Sequence, residues 1–338
     1  MKTGIIIITH KRPQKLWTLL NTIKTHTPEQ HNIYILDNGA TLNSKLIDKI
    51  KHEHGANIFT SKINLYPGQA RNFLFDKLQD EACIVTLDDD MRVTKGWLTH
   101  LLELARRTSN CGGIAPRIIQ EDGNVIHSQG GSYAIKDGYI TFQEHFRMRP
   151  HTKSDIELEC DWLASGCSLY PRHIIEKFRF DENLPNMEDP VHSYDIKIAG
   201  YKLMSTAKSE VIHSKGLKAN ADLRSNENII KSICYIHHKY NLNPIKSWSM
   251  DKRLFRGRKF IQARVDQWLT YHKAKLNIIS ADMTNLTDPM IARPPRTKRE
   301  VRTVTSNIRK QPLKKSAVVS PPRSNRLPAS YEYLKKKK

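Results

Sequence analysis

The chain has 338 residues, 38% hydrophobic and 26% charged, with 55 Lys and Arg against 34 Asp and Glu. That apolar content excludes a disordered polyelectrolyte and is enough for a sizeable core. The charge is uneven: residues 1–215 carry 27 basic and 26 acidic side chains, whereas 216–338 carry 28 and 8, so +20 of the net +21 lies in the second part.

The aliphatic run at residues 5–8 is far shorter than the roughly 20 residues of a membrane-spanning helix and too short for a secretion-signal core. Five cysteines, Cys83, Cys111, Cys160, Cys167 and Cys234, form no CxxC pair. Neither a disulfide framework nor a structural zinc site is suggested, and a cytoplasmic setting is expected.

In chain order, residues 4–9 read as a buried strand, followed by Pro13 at a helix start and Leu16, Leu19, Leu20 and Ile23 on one helical face. Strands follow at 32–36 and 56–59, separated by a helix marked by Leu42, Leu46, Ile47 and Ile50. A helix after Pro67 and Gly68, a strand at 82–87 and a helix from Trp97 complete a βαβαβαβα order. The expected fold is α/β, a mostly parallel sheet with helices on both faces and ligands at the carboxyl ends of its strands. Residues 111–169 read as short strands added antiparallel, with helices again at 172–178 and 192–199. Residues 223–279 read as mainly helical. The stretch from 289 is rich in Pro, Ser, Thr, Lys and Arg and is expected to be a disordered basic tail. The expected divisions are 1–215, 216–288 and 289–338.

The strand at 82–87 ends in Asp88-Asp89-Asp90. Adjacent carboxylates repel, so such a cluster points to a hard cation such as Mg²⁺ or Mn²⁺. The competing reading is that one Asp caps the helix that begins near Trp97.

At these residues the chain resembles the family-2 glycosyltransferases of the GT-A fold, a Rossmann-like architecture. The resemblance covers roughly residues 3–215. It rests on Ile-Ile-Ile-Ile-Thr9-His-Lys-Arg12-Pro, Ile35-Leu-Asp37-Asn38-Gly39-Ala40, Asn64-Leu-Tyr-Pro-Gly68-Gln-Ala70-Arg71-Asn72, the Asp triplet, Trp162-Leu-Ala-Ser-Gly166, Phe180-Asp181-Glu182, Glu188-Asp189 with Ala199-Gly200-Tyr201-Lys202, and Val211-Ile-His213. The resemblance implies a nucleotide-sugar donor, typically UDP-linked, and a Mn²⁺ or Mg²⁺ cofactor. It gives Asp37 the base or ribose, with Thr9, Arg12 and Arg71 in the same pocket. Asp88 or Asp89 would touch ribose or metal, and Asp90 and His213 would ligate the metal. Trp162 and Gly166 fall on the acceptor side. Asp189 would be the general base of a single, inverting displacement, with Glu188 orienting a loop or the acceptor. The pattern departs at Val191 and Asp195, where many members carry an acid and an arginine, and at Pro190, expected to interrupt the start of that helix. Acceptor identity therefore cannot be borrowed from common members.

In the basic part, Arg253-Leu-Phe255-Arg256-Gly-Arg258-Lys259-Phe260 interleaves cations with aromatics and leads towards Arg264, Trp268, Tyr271, Lys273 and Lys275. This suits a polyanion, nucleic acid being favoured over an anionic membrane surface, because the tail holds 15 cations and hardly any large apolar anchor. The expected function is a metal-dependent glycosyltransferase acting on modified DNA. The alternatives are a transferase of surface polysaccharide or lipid-linked glycan synthesis and a non-catalytic binder of the same fold.

Overall fold

The computed structural model describes residues 2–136 and 139–214, together with Asn228, Ser232, Tyr235, Ile236, Lys239 and Tyr240. The chain divides into two compact units, Met1–Ala274 and Lys275–Lys338, and every described residue belongs to the first. Phe255, Phe260, Trp268 and the basic tail lie outside the described residues. The six described positions beyond 214 are all helical, as expected from the sequence.

The first half alternates as expected: β1 (Thr3–Thr9), α1 (Pro13–His26), β2 (His31–Asn38), α2 (Ser44–His54), β3 (Asn57–Ser61), α3 (Pro67–Phe75) and β4 (Cys83–Asp88). A three-residue β5 (Met91–Val93) precedes α4 (Trp97–Arg107). There follow β6 (Cys111–Gln120), β7 (Ile126–Ser128), β8 (Gly131–Lys136), β9 (Tyr139–Glu144), β10 (Glu157–Cys160), β11 (Cys167–Pro171), α5 (Arg172–Lys177), α6 (Glu188–Ile198) and β12 (Lys202–His213).

Ten strands form one mixed sheet in the order β10-β12-β6-β11-β4-β1-β2-β3, with β5 and β7 attached to β12 and β6, while β8 and β9 form a separate hairpin. The strands β4, β1, β2 and β3 pair in parallel; β11, β10, β5 and β7 are antiparallel additions, and β12 lies parallel to β6. Both sheet faces are covered, which explains the unbroken isoleucine run. Ile5 and Ile7 pack with Leu16, Leu19 and Leu20 of α1 and with α4, whereas Ile6 packs with Ala70 and Leu74 of α3 and with Ile174 of α5.

One local feature differs from expectation, and one competing reading falls. The helix expected at 192 begins at Glu188, after Met187 with φ 65°, and Pro190 sits in its first turn. A first-turn N–H has no intrahelical partner, so the proline is tolerated and does not interrupt the helix. The residue before α4 is Gly96 in a left-handed conformation, so none of the three aspartates is that helix's cap. Among the described residues, no helix is long and apolar enough to cross a membrane.

Candidate active site

Parallel pairing aligns strand ends. Thr9 lies opposite Asp37 across β1 and β2, and Ile8 opposite Asp88 across β1 and β4, which brings Thr9, Asp37 and the aspartate triplet to one sheet edge. Asp89 is wholly buried. Its Oδ2 accepts from Thr9 Oγ1 at 2.8 Å, and its Oδ1 lies 2.9 Å from Arg12. Burial pushes its carboxyl up to about 7, against the pull of Arg12. The other arm of the Arg12 guanidinium pairs with Asp90 at 2.5 Å.

His213 arrives from a distant part of the sequence through the short β5. Antiparallel pairing sets His213 across from Met91, and Ser214 N–H donates to the Asp90 carbonyl at 2.8 Å. Nε2 of His213 is thereby 3.7 Å from Oδ2 of Asp90.

Asp88 faces a second arginine. Arg71, on α3 and 4% exposed, reaches Asp88 at 3.1 Å, Glu188 at 2.8 Å and Asp189 at 4.0 Å. Burial lowers an arginine pKa, but here the three carboxylates outweigh it and raise it, so the guanidinium stays charged. Glu188 is pushed up by burial and by its neighbour Asp189, against the pull of Arg71. Asp189 is the more open of the pair, its side chain 25% exposed. Both its oxygens are held by one residue: Ser165 Oγ donates to Oδ1, and Ser165 N–H donates to Oδ2 at 3.1 Å.

Close backbone approaches fix this arrangement. Gly166 accepts from Asp88 N–H at 2.9 Å, and a Cβ on it would stand 2.8 Å from Met91 Cε and 3.2 Å from Asp88 Oδ2. A Cβ on Gly68 would stand 2.7 Å from the Asp181 carbonyl. That contact seats α3 against residues 180–182, where Asn72 exchanges hydrogen bonds with the Phe180 backbone at 2.9 and 3.0 Å and donates to Glu182 at 2.9 Å.

His192 of α6 stacks on Phe180 with ring centroids 3.9 Å apart, and its Nε2–H donates to the Phe178 carbonyl at 3.0 Å. Burial lowers its pKa to about 4. A base whose pKa is lower folded than unfolded stabilises the fold fully above its unfolded value, and this is lost as pH falls from about 6.5 towards 4. His192→Gln is therefore expected to narrow the loss of thermal stability between pH 7.5 and pH 4.5. Identical pH profiles would show that His192 does not carry that loss.

Asp37 and Trp162 stand apart from this hydrogen-bonded cluster. Asp37 is buried and anchors its own loop: Oδ1 accepts from Thr41 N–H and Oγ1 at 2.8 and 2.9 Å, and Oδ2 from Leu42 N–H at 3.0 Å. Trp162 is buried, its backbone bridged to Gly131. Sequence reasoning assigns no role to Ser165, although it lies inside a quoted motif. Nor does it foresee that Lys239 meets Asp181 and Asp195 at 2.9 Å each.

Among the described residues, no group of three or more His, Cys, Asp and Glu side chains is arranged to hold a metal. Asp90 and His213 nevertheless offer two donors side by side, and Oδ1 of Asp90 is buried without a hydrogen-bond partner. Mg²⁺ is commonly held by one or two carboxylates, with substrate phosphates and water completing the shell. The donor set fits a hard divalent cation completed by a diphosphate.

Residues 4–178 match the family model described as Glycosyl transferase family 2. No curated protein matches the chain in sequence. Among solved structures, the fold is similar to GalNAc-T7 crystallised with UDP, GalNAc and Mn²⁺, at TM-score 0.55 and 16% identity over 80% of this chain and 58% of that one. It is also similar to S. aureus TarS 1-349 in complex with UDP-GlcNAc, at TM-score 0.51 and 12% identity over 74% and 70%. At these identities the likeness is one of fold, and this chain spans 58% of the length of the first.

Proposed function

The chain belongs to glycosyl transferase family 2, and from that premise we propose that it moves a sugar from a nucleotide-sugar, UDP-linked and held with Mn²⁺ or Mg²⁺, to an acceptor hydroxyl with inversion. The observation that carries this reading is the gathering of five carboxylates, Asp88, Asp89, Asp90, Glu188 and Asp189, around the two guanidinium groups of Arg12 and Arg71. Both guanidinium groups are engaged by these carboxylates, so a diphosphate must find its countercharge in a divalent cation. The bound nucleotides of GalNAc-T7 and TarS support the donor class.

Asp90 and His213 would hold the cation, which when bound supplies positive charge beside the departing diphosphate. Arg12 holds Asp89 and Asp90 in place, while Thr9 and Asp37 at the neighbouring strand ends bound the nucleotide pocket. An acceptor hydroxyl has a pKa far above neutrality and must lose its proton as it attacks. Asp189 takes that proton: it is the exposed member of the pair, and Ser165 fixes both its oxygens. Glu188 is committed to Arg71 and keeps that arginine beside Asp88 and Asp189. Gly166, packed on Asp88 and next to Ser165, marks the acceptor side together with Trp162, four residues before it in the sequence.

Residues 1–215 form the catalytic domain in this reading, and the +20 segment recruits the acceptor. Modified DNA is the favoured acceptor because clustered cations release counterions from phosphates. The four described cysteines are buried, and a cytoplasmic setting is part of this reading.

Incubation with a panel of nucleotide-sugars and Mn²⁺ is expected to release nucleotide, and EDTA or Asp90→Ala to abolish that release with the melting temperature retained. Full release in EDTA would remove the cation from the mechanism. Transfer to hydroxymethylated DNA supports the nucleic-acid acceptor, whereas transfer to lipid-linked acceptors alone would replace it with glycan synthesis at a membrane face. No nucleotide release with any donor would leave a binding protein of this fold.

A further inference from the structure

The helix that carries Glu188 and Asp189 is gripped at its other end by residues beyond the sheet. Asp195 lies two turns along α6 from Glu188, where the family pattern has an arginine, and Asp181 lies on the loop that precedes the helix. Lys239 Nζ donates to Oδ2 of Asp181 and to Oδ2 of Asp195, each at 2.9 Å. Tyr240 OH donates to the other oxygen of Asp195 at 2.7 Å, and Tyr235 OH donates to Asp181 at 2.9 Å. Asn183 Nδ2 donates to Tyr235 OH at 3.2 Å.

Tyr235, Ile236, Lys239 and Tyr240 have the spacing of one helical face. Ile236 is buried with Leu184 and Val191, against Met187, the residue immediately before α6. The Tyr240 and Tyr194 rings meet edge-on with centroids 4.8 Å apart. The two departures from the family pattern, Val191 and Asp195, are thus among the α6 positions that receive this segment: Val191 accepts Ile236, and Asp195 accepts Lys239 and Tyr240.

The bridge is placed to be effective. Asp181 is 9% exposed and so shielded from water, while Lys239 and Asp195, each 27% exposed, are partly shielded. One ammonium spans a loop residue and a helix residue 14 positions apart, which sets the angle between the loop and α6. The same loop is clamped to α3 by Asn72, and α3 supplies Arg71. Lys239 therefore closes a ring of contacts running from the loop to α6, to Arg71 and back through α3.

We propose that Lys239 is a positioning residue: by tying Asp181 to Asp195 it sets the tilt of α6, and with it the Asp189 carboxylate, so that the start of the C-terminal extension is part of the catalytic unit. Its effect on turnover rests on the function proposed above; its effect on α6 does not.

The test compares Lys239→Met, Lys239→Arg and Asp195→Asn in the full-length protein, reading amide hydrogen exchange over residues 188–196 and steady-state kinetics. Lys239→Met and Asp195→Asn are expected to speed exchange in α6 at least about tenfold. They are also expected to lower kcat about tenfold with the donor KM unchanged, and Lys239→Arg to restore most of both. Asp195→Asn keeps shape and one acceptor, and so reads the same bridge should the methionine variant fail to fold. Unchanged exchange in α6 would overturn the proposal whatever the activity. Faster exchange with an unchanged kcat would refute the positioning of Asp189. A wild-type protein without transferase activity would fail the functional reading, and the exchange rates alone would then decide whether the clamp holds α6.

Discussion

Replacing Asp189 by Asn is expected to lower sugar transfer by at least about 10²-fold while nucleotide-sugar affinity stays within about twofold of the parent. The substitution isolates proton acceptance from geometry. Ser165 holds one carboxylate oxygen through its N–H and the other through its hydroxyl. An amide oxygen still accepts from the N–H, and the hydroxyl can turn to accept from the new amide nitrogen, so the side chain keeps its place. What it loses is the capacity to take a proton from the acceptor. On the proposed function the donor binds elsewhere, around Arg12 and Asp90, so titration with the nucleotide should hardly register the change. Single-turnover transfer measured beside nucleotide binding separates the two effects. An unchanged rate would move the base to Glu188, whose pKa is already raised by burial.

The largest expected effect on stability belongs to Arg71→Met, at about 3–5 kcal/mol, the range for removing one partner of a buried ion pair. Methionine approximates the length of the side chain but leaves Asp88, Glu188 and Asp189 facing one another without their shared cation. It also forfeits the guanidinium resting 5.2 Å from the Phe180 ring centroid. The deficit should depend on pH. Glu188, left buried without its cation, has a folded-state pKa above its unfolded one, so its protonated form favours the fold and stability falls as pH rises through the raised value. Denaturant unfolding should therefore show a larger loss at pH 8 than at pH 5, and Arg71→Met with Glu188→Leu should recover part of it. A loss below about 1 kcal/mol, equal at both pH values, would mean that the three carboxylates do not depend on Arg71.

The parallel half of the fold is legible because periodicity is local: the isoleucine run, the leucines of α1 and the prolines that open α1 and α3 each announce their element within a dozen residues. The aspartate triplet is legible for a related reason, since a strand followed by three acids makes sense only at an open sheet edge. What brings His213 to Asp90 is not legible. The three residues of β5 are too few to show alternation, yet their pairing with β12 spans about 120 positions and decides the contact. Ser165 carries no compositional signal, since a serine after an alanine is ordinary until the carboxylate it faces is known. Asp195 and Lys239 form the sharpest case. Each looks like a solvated charge in its own segment, and only the docking of the two segments turns a mismatch with the family pattern into a matched pair. Pro190 misleads because a proline that breaks a helix interior is harmless one turn earlier.

Asp88 lies between the two ends of the cluster, joined by sequence to Asp89 and Asp90 and by Arg71 to Glu188 and Asp189. Charge brought to the Asp90 end alters the field at Asp88, and Arg71 answers both that carboxylate and Asp189. On the proposed function the occupancies of the two ends are coupled, and equilibrium coupling is reciprocal: whatever factor one ligand applies to the affinity of the other is returned in full. On the proposed function, this coupling shows as a donor affinity that changes when the acceptor is present, by the same factor as the acceptor affinity changes when the donor is bound.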